Sequence, residues 1–266
     1  MKRSFGFAAL AATVAATLAA SVILLAAVPA AAQDGRVAEM VIVPGDTLKL
    51  PGPGRVVGLT VAGLDSVAFL LDVPDSLAAS GRREVRLLLQ GPGGEVLHDE
   101  DYTGVLDRGL AWTGKAFFAC GDAPDGSSIL YEITVDTLGA LVVEGGFTAP
   151  GHRPMDLAWD GRYLWVSDRD SGRLDRFDPE VGEFTRFVAT PGFSPCGLAW
   201  DGSSMWLSDA GTGRLYRLVG ARLRWNGVVD ALSFLWRGAD VLLWHDGSRL
   251  WYLPPGEAIA VRADFR

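Results

Sequence analysis

The sequence predicts an all-β protein, a β-propeller of about five four-stranded blades, with six blades as the alternative. An internal repeat recurs along the chain, and successive copies lie 36 to 51 residues apart. Each copy consists of short apolar and aromatic segments separated by glycine-containing turns, which is typical of strands. Beyond the N-terminal segment no stretch has helical periodicity.

The N-terminal segment has the features of a secretory signal. Lys2 and Arg3 precede an apolar stretch from Phe5 to Val28, and small residues follow as far as Ala32. We expect cleavage near Ala32, a periplasmic or extracellular location, and a single propeller domain over 33–266. Because the apolar stretch is longer than the core of an ordinary signal, an N-terminal membrane anchor is the alternative.

Two copies of the repeat are unmistakable. The segments 154–174 and 195–215 share 12 of 21 residues, including the run Leu-Ala-Trp-Asp-Gly. More divergent copies follow the same template, so that repeat units start near residues 56, 107, 154, 195 and 231. In this alignment Val61, Trp112, Trp159, Trp200 and Trp236 are equivalent, and we expect the four tryptophans to pack between blades.

The copy at 154 shows how one blade is built. Met155–Trp159 is predicted as the inner strand, and Asp160-Gly161 as a tight turn that needs a positive φ. The segments Tyr163–Ser167, Arg173–Phe177 and Glu183–Ala189 complete a four-stranded meander. Two leftover segments, 40–43 and 47–50, precede the first copy, and we expect one of them to pair with the C-terminal strand near 258–264 and so close the ring.

Cys120 and Cys196 are the two cysteines of the chain. They fall at non-equivalent positions of different repeats, so the close approach that a disulfide needs is not indicated. We expect two buried free thiols, with a single disulfide as the alternative.

The phrases Pro-Cys-Gly-Leu-Ala-Trp-Asp-Gly, from Pro195, and Leu-Trp-Val-Ser-Asp, from Leu164, resemble the NHL-repeat and six-bladed-type propeller group. This group includes plant-type glutaminyl cyclotransferase, streptogramin lyase and gluconolactonase-like hydrolases. The resemblance covers about residues 56–255, and it implies a fold rather than an activity.

The chain departs from each enzyme pattern within that group. The resemblance to the cyclotransferases implies an acidic residue before Gly-Leu, but Val57, Arg108 and Cys196 occupy those positions. A lyase-like metal site needs clustered histidines, and the three histidines of the chain are scattered. A lactonase-like ion site needs carboxylate and amide ligands, and Asn226 is the single asparagine.

Candidate site residues follow from strand parity. Loops that precede inner strands and loops that join second to third strands share one face of a propeller, which we call the first face. Ligand-binding candidates there are Arg108, Arg153, Asp168 and Asp209. The catalytic candidates are His152, Asp156 and His245. Asp156 replaces glycine, close to His152 and Arg153, and His245 is aligned with Asp168 and Asp209, so both depart from the repeat. No cofactor is identified, and a divalent cation such as calcium is left open.

Charge excludes some partners. The net charge is −8 and no run of basic residues exists, which argues against nucleic acid and, beyond the N-terminal segment, against a membrane surface. The preferred hypothesis is a non-catalytic module that binds a small molecule, peptide, glycan or protein outside the cytoplasm. The alternative is a metal-assisted hydrolase, lyase or cyclotransferase-like enzyme with its site at the channel mouth.

Overall fold

The computed structural model describes residues 39–40, 42–49, 54–63, 66–78, 80–137, 139–219, 224–229, 238–253 and 259–265. The predicted signal segment 1–32 and Trp236 lie outside these ranges. Within them the chain forms strands and loops and no helix. Accordingly, the described ranges contain no helix long and apolar enough to cross a membrane.

The described residues form twenty-one strands in five sheets, which are the five blades. In chain order the first eleven are β1 Glu39–Met40, β2 Ile42–Lys49, β3 Arg55–Ala62, β4 Ser66–Val73, β5 Glu84–Gln90, β6 Val96–Asp101, β7 Arg108–Trp112, β8 Phe117–Asp122, β9 Ser128–Val135, β10 Leu141–Thr148 and β11 Pro154–Trp159. The remaining ten are β12 Leu164–Asp168, β13 Arg173–Asp178, β14 Glu183–Ala189, β15 Pro195–Trp200, β16 Ser204–Asp209, β17 Arg214–Val219, β18 Arg224–Val229, β19 Leu242–His245, β20 Leu250–Leu253 and β21 Ile259–Phe265.

The five blades follow one another around a central channel. Blades 1 to 4 begin with the inner strands β3, β7, β11 and β15, and each continues outward through three antiparallel neighbours. Blade 5 runs β19, β20, β21 and then β2. The inner strands contact one another in sequence, and β19 also contacts β3, so the ring is closed with five blades.

The N-terminal strands provide the closure. β2 pairs antiparallel with β21, with Ile42 opposite Phe265 and Lys49 opposite Ile259. This confirms the expectation that a leftover N-terminal segment pairs with the C-terminal strand. In addition, β1 pairs in parallel with β18, the outer strand of blade 4. Strands β1 and β2 therefore link blades 4 and 5.

The hydrophobic core lies between the blades. Among the residues that the structure describes, five clusters of buried side chains form it, and each cluster contains residues from two adjacent blades. The repeat tryptophans Trp112, Trp159 and Trp200 are half-buried and pack against three of these clusters. Their predicted role in packing between blades is confirmed.

A recurring turn joins the first two strands of a blade. Gly161, Gly202 and Gly247 have φ values of 94°, 89° and 93°, as the Asp-Gly turns require. The aspartate before each glycine accepts a hydrogen bond from an indole Nε1 in the next strand: Trp165 to Asp160 at 2.7 Å, Trp206 to Asp201 at 2.8 Å, and Trp251 to Asp246 at 2.8 Å. The same side chain thus forms the turn and satisfies a buried indole.

The turn at Asp246-Gly247 corrects the alignment of the fifth repeat. The sequence alignment makes Trp236 the counterpart of Trp200, but the inner strand of blade 5 is β19 and its last residue is His245. His245 is therefore equivalent to Trp200, and its alignment with Asp168 and Asp209 is wrong. The error arose because the fifth copy has histidine where the template has tryptophan.

Cys120 and Cys196 are buried and free, which confirms the preferred expectation. Burial raises the pKa of the Cys120 thiol to about 12 and also raises the pKa of Cys196. Both therefore behave as small apolar side chains near neutral pH.

Candidate functional site

A cavity of about 450 Å³ opens at the first face, where the inner strands begin. Four arginines line it: Arg55 at the start of β3, Arg108 at the start of β7, Arg153 just before β11, and Arg169 just after β12. Two carboxylates, Asp107 and Asp240, share this lining with apolar side chains such as Met155 and Leu242. We call this site the arginine cavity.

Arg108 is held firmly by acids of its own blade. Its Nη1 lies 2.6 Å from Asp107 Oδ2, and its Nη2 lies 2.6 Å from Asp122 Oδ1. The side chain is only 18% exposed. Its Nε is buried and has no hydrogen-bond partner among the described residues. Much of the Arg108 charge is therefore neutralised, although one donor is left over.

Arg169 is the most enclosed of the four, with 17% of its side chain exposed. It forms an ion pair with Asp240, and its Nε has no hydrogen-bond partner in the described part of the chain. Burial lowers the pKa of the guanidinium from its usual value, while Cys196 acts in the opposite direction. An arginine remains protonated near neutral pH, so a buried N–H without a described partner lies in this residue of the cavity wall.

Arg153 differs from the other three because it forms no ion pair with any described residue. Its side chain is exposed at the cavity, while its backbone N–H donates to Asp168 Oδ2 at 2.8 Å and fixes the loop. Arg55 is also exposed, but it lies 3.5 Å from Asp72, a carboxylate that Arg83 shares. The uncompensated positive charge of the cavity is therefore at Arg153.

Asp156 lies in the wall between blades 3 and 4 and is only 3% exposed. Its Oδ2 accepts a hydrogen bond from the backbone N–H of Leu198, on the neighbouring inner strand, at 2.9 Å. Burial raises the pKa of this carboxyl to about 8, against the opposing effect of backbone amides. Glycine occupies the same place in the neighbouring repeats, where a Cβ on Gly197 would lie 2.3 Å from the Val241 carbonyl oxygen.

The three catalytic candidates do not form one constellation. His152 is exposed in the loop before β11, and Asp156 is buried between strands. His245 lies at the other end of the channel, where it lines a smaller cavity of about 140 Å³ together with Trp112, Trp159 and Trp200. Burial lowers the pKa of His245, partly offset by Asp201 and Asp246. Catalytic roles for these residues stay predictions.

Asp168 and Asp209 organise loops of the first face. Asp168 accepts hydrogen bonds from the backbone of Arg153 and Ser171, at 2.8 Å each. Asp209 accepts equivalent bonds from Ser194 at 2.7 Å and Thr212 at 2.8 Å. Both carboxylates are buried. Their contact with a ligand stays a prediction, while Arg108 and Arg153 lie together in the arginine cavity.

Arg55 and Arg169 also line the arginine cavity but were not predicted from the sequence. Arg169 had a usable signal, because the equivalent residue of the next repeat is Ala210 and a long charged side chain replaces a small one. For a metal ion, the described ranges contain no group of three or more His, Cys, Asp or Glu side chains suited to hold one. The calcium hypothesis is left to experiment.

Comparison with known proteins supports the fold. No protein-family profile and no curated protein sequence matches the chain. Among solved structures, the glutaminyl cyclase of Myxococcus xanthus matches with a TM-score of 0.63 and 12% identity, over 86% of this chain and 98% of that chain. The PQQ-bound aldose sugar dehydrogenase of Streptomyces coelicolor matches with a TM-score of 0.50 and 12% identity, over 86% and 99%.

A chain of the mitotic checkpoint complex also matches, with a TM-score of 0.52 and 13% identity, over 96% of this chain and 99% of that chain. These structural neighbours therefore include enzymes and a component of a protein assembly. At such identities the likeness confirms the propeller fold that the repeat phrases implied, and it carries no activity with it.

Proposed function

We propose that this protein is an exported, non-catalytic binding module that takes a carboxylate-bearing ligand into the arginine cavity. The observation that carries the proposal is Arg153, an exposed guanidinium at the cavity without an ion-pair partner in the described part of the chain, beside the buried free Nε–H of Arg169. Guanidinium groups bind carboxylates through paired, charge-assisted hydrogen bonds.

The size of the cavity supports the same proposal. Its volume of about 450 Å³ falls within the range of sites that enclose a small ligand, and apolar side chains lie between the charged groups. The chain as a whole carries a net charge of −8, so four arginines around one cavity are a local departure from the overall charge. A small molecule, a peptide or an acidic glycan all offer the carboxylate that the site needs.

The arrangement of the titratable groups favours binding over catalysis. A hydrolase or lyase needs an acid, a base or a nucleophile within reach of one another. The histidine candidates lie at opposite ends of the channel, and Asp156 is enclosed between strands.

Calorimetric titration of the mature protein with triglutamate tests the proposal. We expect saturable binding that weakens as salt rises, and an approximately tenfold or larger loss of affinity in Arg153→Gln, because a charge-assisted pair contributes about 1.5–3 kcal/mol. Arg162→Gln is the matched control, since Arg162 is exposed in the Asp160 turn, outside the cavity. Failure of triglutamate to bind, or equal binding by Arg153→Gln, would contradict the proposal.

Asp156 supports the alternative of an enzyme, because a carboxyl with a pKa near 8 suits proton transfer at neutral pH. Incubation with a peptide that begins with glutamine, followed by mass spectrometry, tests a cyclotransferase-like activity. We expect no turnover, with or without added calcium. Turnover that Asp156→Asn abolishes in a folded protein would establish the alternative instead.

A further inference from the structure

A second cavity, of about 440 Å³, adjoins the arginine cavity on the first face. The two cavities share Arg169 and Gly238. The rest of the wall of the second cavity is formed by Asp170, Phe193, Ser194, Ala210 and Gly211, so polar groups lie beside the aromatic ring of Phe193. We call it the Phe193 pocket. A ligand held at Arg169 can extend into it without crossing a blade.

Phe193 is presented by a loop that is fixed from several sides. Ser194 N–H donates to Asp209 Oδ2 at 2.7 Å, and Ala210 N–H donates to the Ser194 carbonyl at 2.9 Å. On the other side, the Thr190 hydroxyl donates to the Gly192 carbonyl at 3.0 Å. The Phe193 ring lies against Gly211, where a Cβ would come within 2.4 Å of it. These bonds hold the backbone of the loop, and the ring of Phe193 rests on Gly211 with the remainder of the side chain exposed.

The same loop position carries a first-face side chain in the preceding repeat. Gly151 packs against Asp168 as Gly192 packs against Asp209, so His152-Arg153 and Phe193-Ser194 are equivalent pairs. One loop thus contributes Arg153 to the arginine cavity, and the next contributes Phe193 to the adjoining pocket.

The exposure of Phe193 is unlike that of Phe187, another exposed phenylalanine of the described part of the chain. Phe193 is 66% exposed and has no ring or guanidinium contact with the described residues. Phe187, on the outer strand β14, is 62% exposed, but the Arg173 guanidinium covers it at 5.1 Å from the ring centroid. A fixed, uncovered aromatic ring at the edge of a cavity is suited to bind an apolar group.

We propose that the ligand is a peptide in which an aromatic side chain neighbours a carboxylate, and that Phe193 binds the aromatic side chain while Arg153 and Arg169 bind the carboxylate. This inference rests on the proposed function. The charge of the arginines selects the acidic group, and the exposed ring of Phe193 offers an apolar face to the side chain beside that group, while Asp170 and Ser194 are the other polar side chains of the pocket. Phe193 is thus a specificity residue for the group beside the carboxylate.

Two matched peptides, Phe-Glu-Glu and Ala-Glu-Glu, test the inference by calorimetry. We expect the mature protein to bind Phe-Glu-Glu roughly five- to tenfold more tightly, as a favourable aromatic pair and its buried surface imply. Phe193→Ala should remove this preference and leave the affinity for Ala-Glu-Glu unchanged. Phe187→Ala, at a site of equal exposure, should keep the preference.

The outcomes separate the inference from the proposed function. If wild type shows no preference, or if Phe193→Ala keeps it, the inference is wrong even though acidic peptides bind. If neither peptide binds, the proposed function itself has failed. Tighter binding of an oligogalacturonate than of Phe-Glu-Glu, lost in Phe193→Ala, would overturn the peptide assignment in favour of an acidic glycan. Circular dichroism establishes that each variant is folded.

Discussion

Asp156 occupies a position at which the two adjacent blades have glycine, Gly109 and Gly197. The inner strands approach closely there, and a Cβ on Gly109 would lie 3.1 Å from the Asp156 Cα. Asp156 fits because its carboxyl bonds the Leu198 amide of the next blade. The residue that breaks the repeat therefore joins two inner strands. Because its pKa is raised in the folded protein, its protonation also affects the free energy of unfolding.

The first prediction is that Asp156 makes stability depend on pH. The folded-state pKa of about 8 lies above the ordinary value of 3.8, so the folded protein retains a proton that the unfolded chain releases between these values. The stability that this carboxyl contributes is fully present below its ordinary pKa of 3.8 and is lost as the pH rises through its folded-state pKa of about 8. Urea unfolding should show that the stability of wild type relative to Asp156→Asn falls by roughly 4 kcal/mol between about pH 5 and pH 8.

The comparison of wild type with Asp156→Asn cancels the effects of the other titratable groups, because both proteins contain the same ones. The variant keeps an oxygen that can accept from Leu198, so its fold should persist. A difference in unfolding free energy that stays constant over this pH range would mean that the carboxyl is not protonated in the folded state.

At the scale of the element, β2 is the strand on which closure depends. It completes blade 5 although it comes from the opposite end of the chain, and without it the outer edge of β21 has no partner. Unpaired edges are both unstable and prone to association. β1 adds a short parallel pairing to blade 4 just before β2 begins.

The second prediction concerns this closure. A chain that begins at Gly54 should melt on the order of 10 °C lower than one that begins at Glu39, because several kcal/mol of strand pairing and packing are lost. Thermal unfolding followed by circular dichroism measures the shift, and size-exclusion chromatography reports association at the freed edge. The chain that begins at Glu39 retains β1 and β2 and serves as the control. Equal melting temperatures would show that β2 is dispensable.

At the scale of the whole molecule, charge and repeat geometry act together. An acidic protein with a net charge of −8 gathers four arginines at one end of its channel. They come from the starts of three inner strands and from the loop after β12, so the propeller ring is what makes them neighbours. The ring places the repeat tryptophans and His245 at the opposite end. The two ends thus differ in chemistry although one repeat builds both.

The third prediction concerns export. When the full chain is produced in a bacterial host with a secretion system, we expect the mature protein to begin at Gln33, because the small residues up to Ala32 suit signal cleavage. Mass spectrometry of the intact protein measures the N-terminus. Ala32→Tyr should retard cleavage. An uncleaved chain that fractionates with membranes would support the anchor alternative.

Local sequence patterns alone were sufficient to predict the blades. Strand segments, the Asp-Gly turns with positive φ and the strong repeats at 154 and 195 all depend on neighbours within one blade, so they could be predicted from the sequence. Closure by an N-terminal strand was also predictable, because apolar segments were left over before the first repeat.

The fifth blade and the site required the tertiary structure. A template match placed Trp236 on the inner strand, but hydrogen bonding places His245 there, since Trp251 donates to Asp246 as Trp206 donates to Asp201. Arg108 and Arg153 were predicted by position, whereas Arg55 and Arg169 were not. The arginine cavity combines side chains from blades far apart in the sequence, and only closure of the ring decides which of them meet.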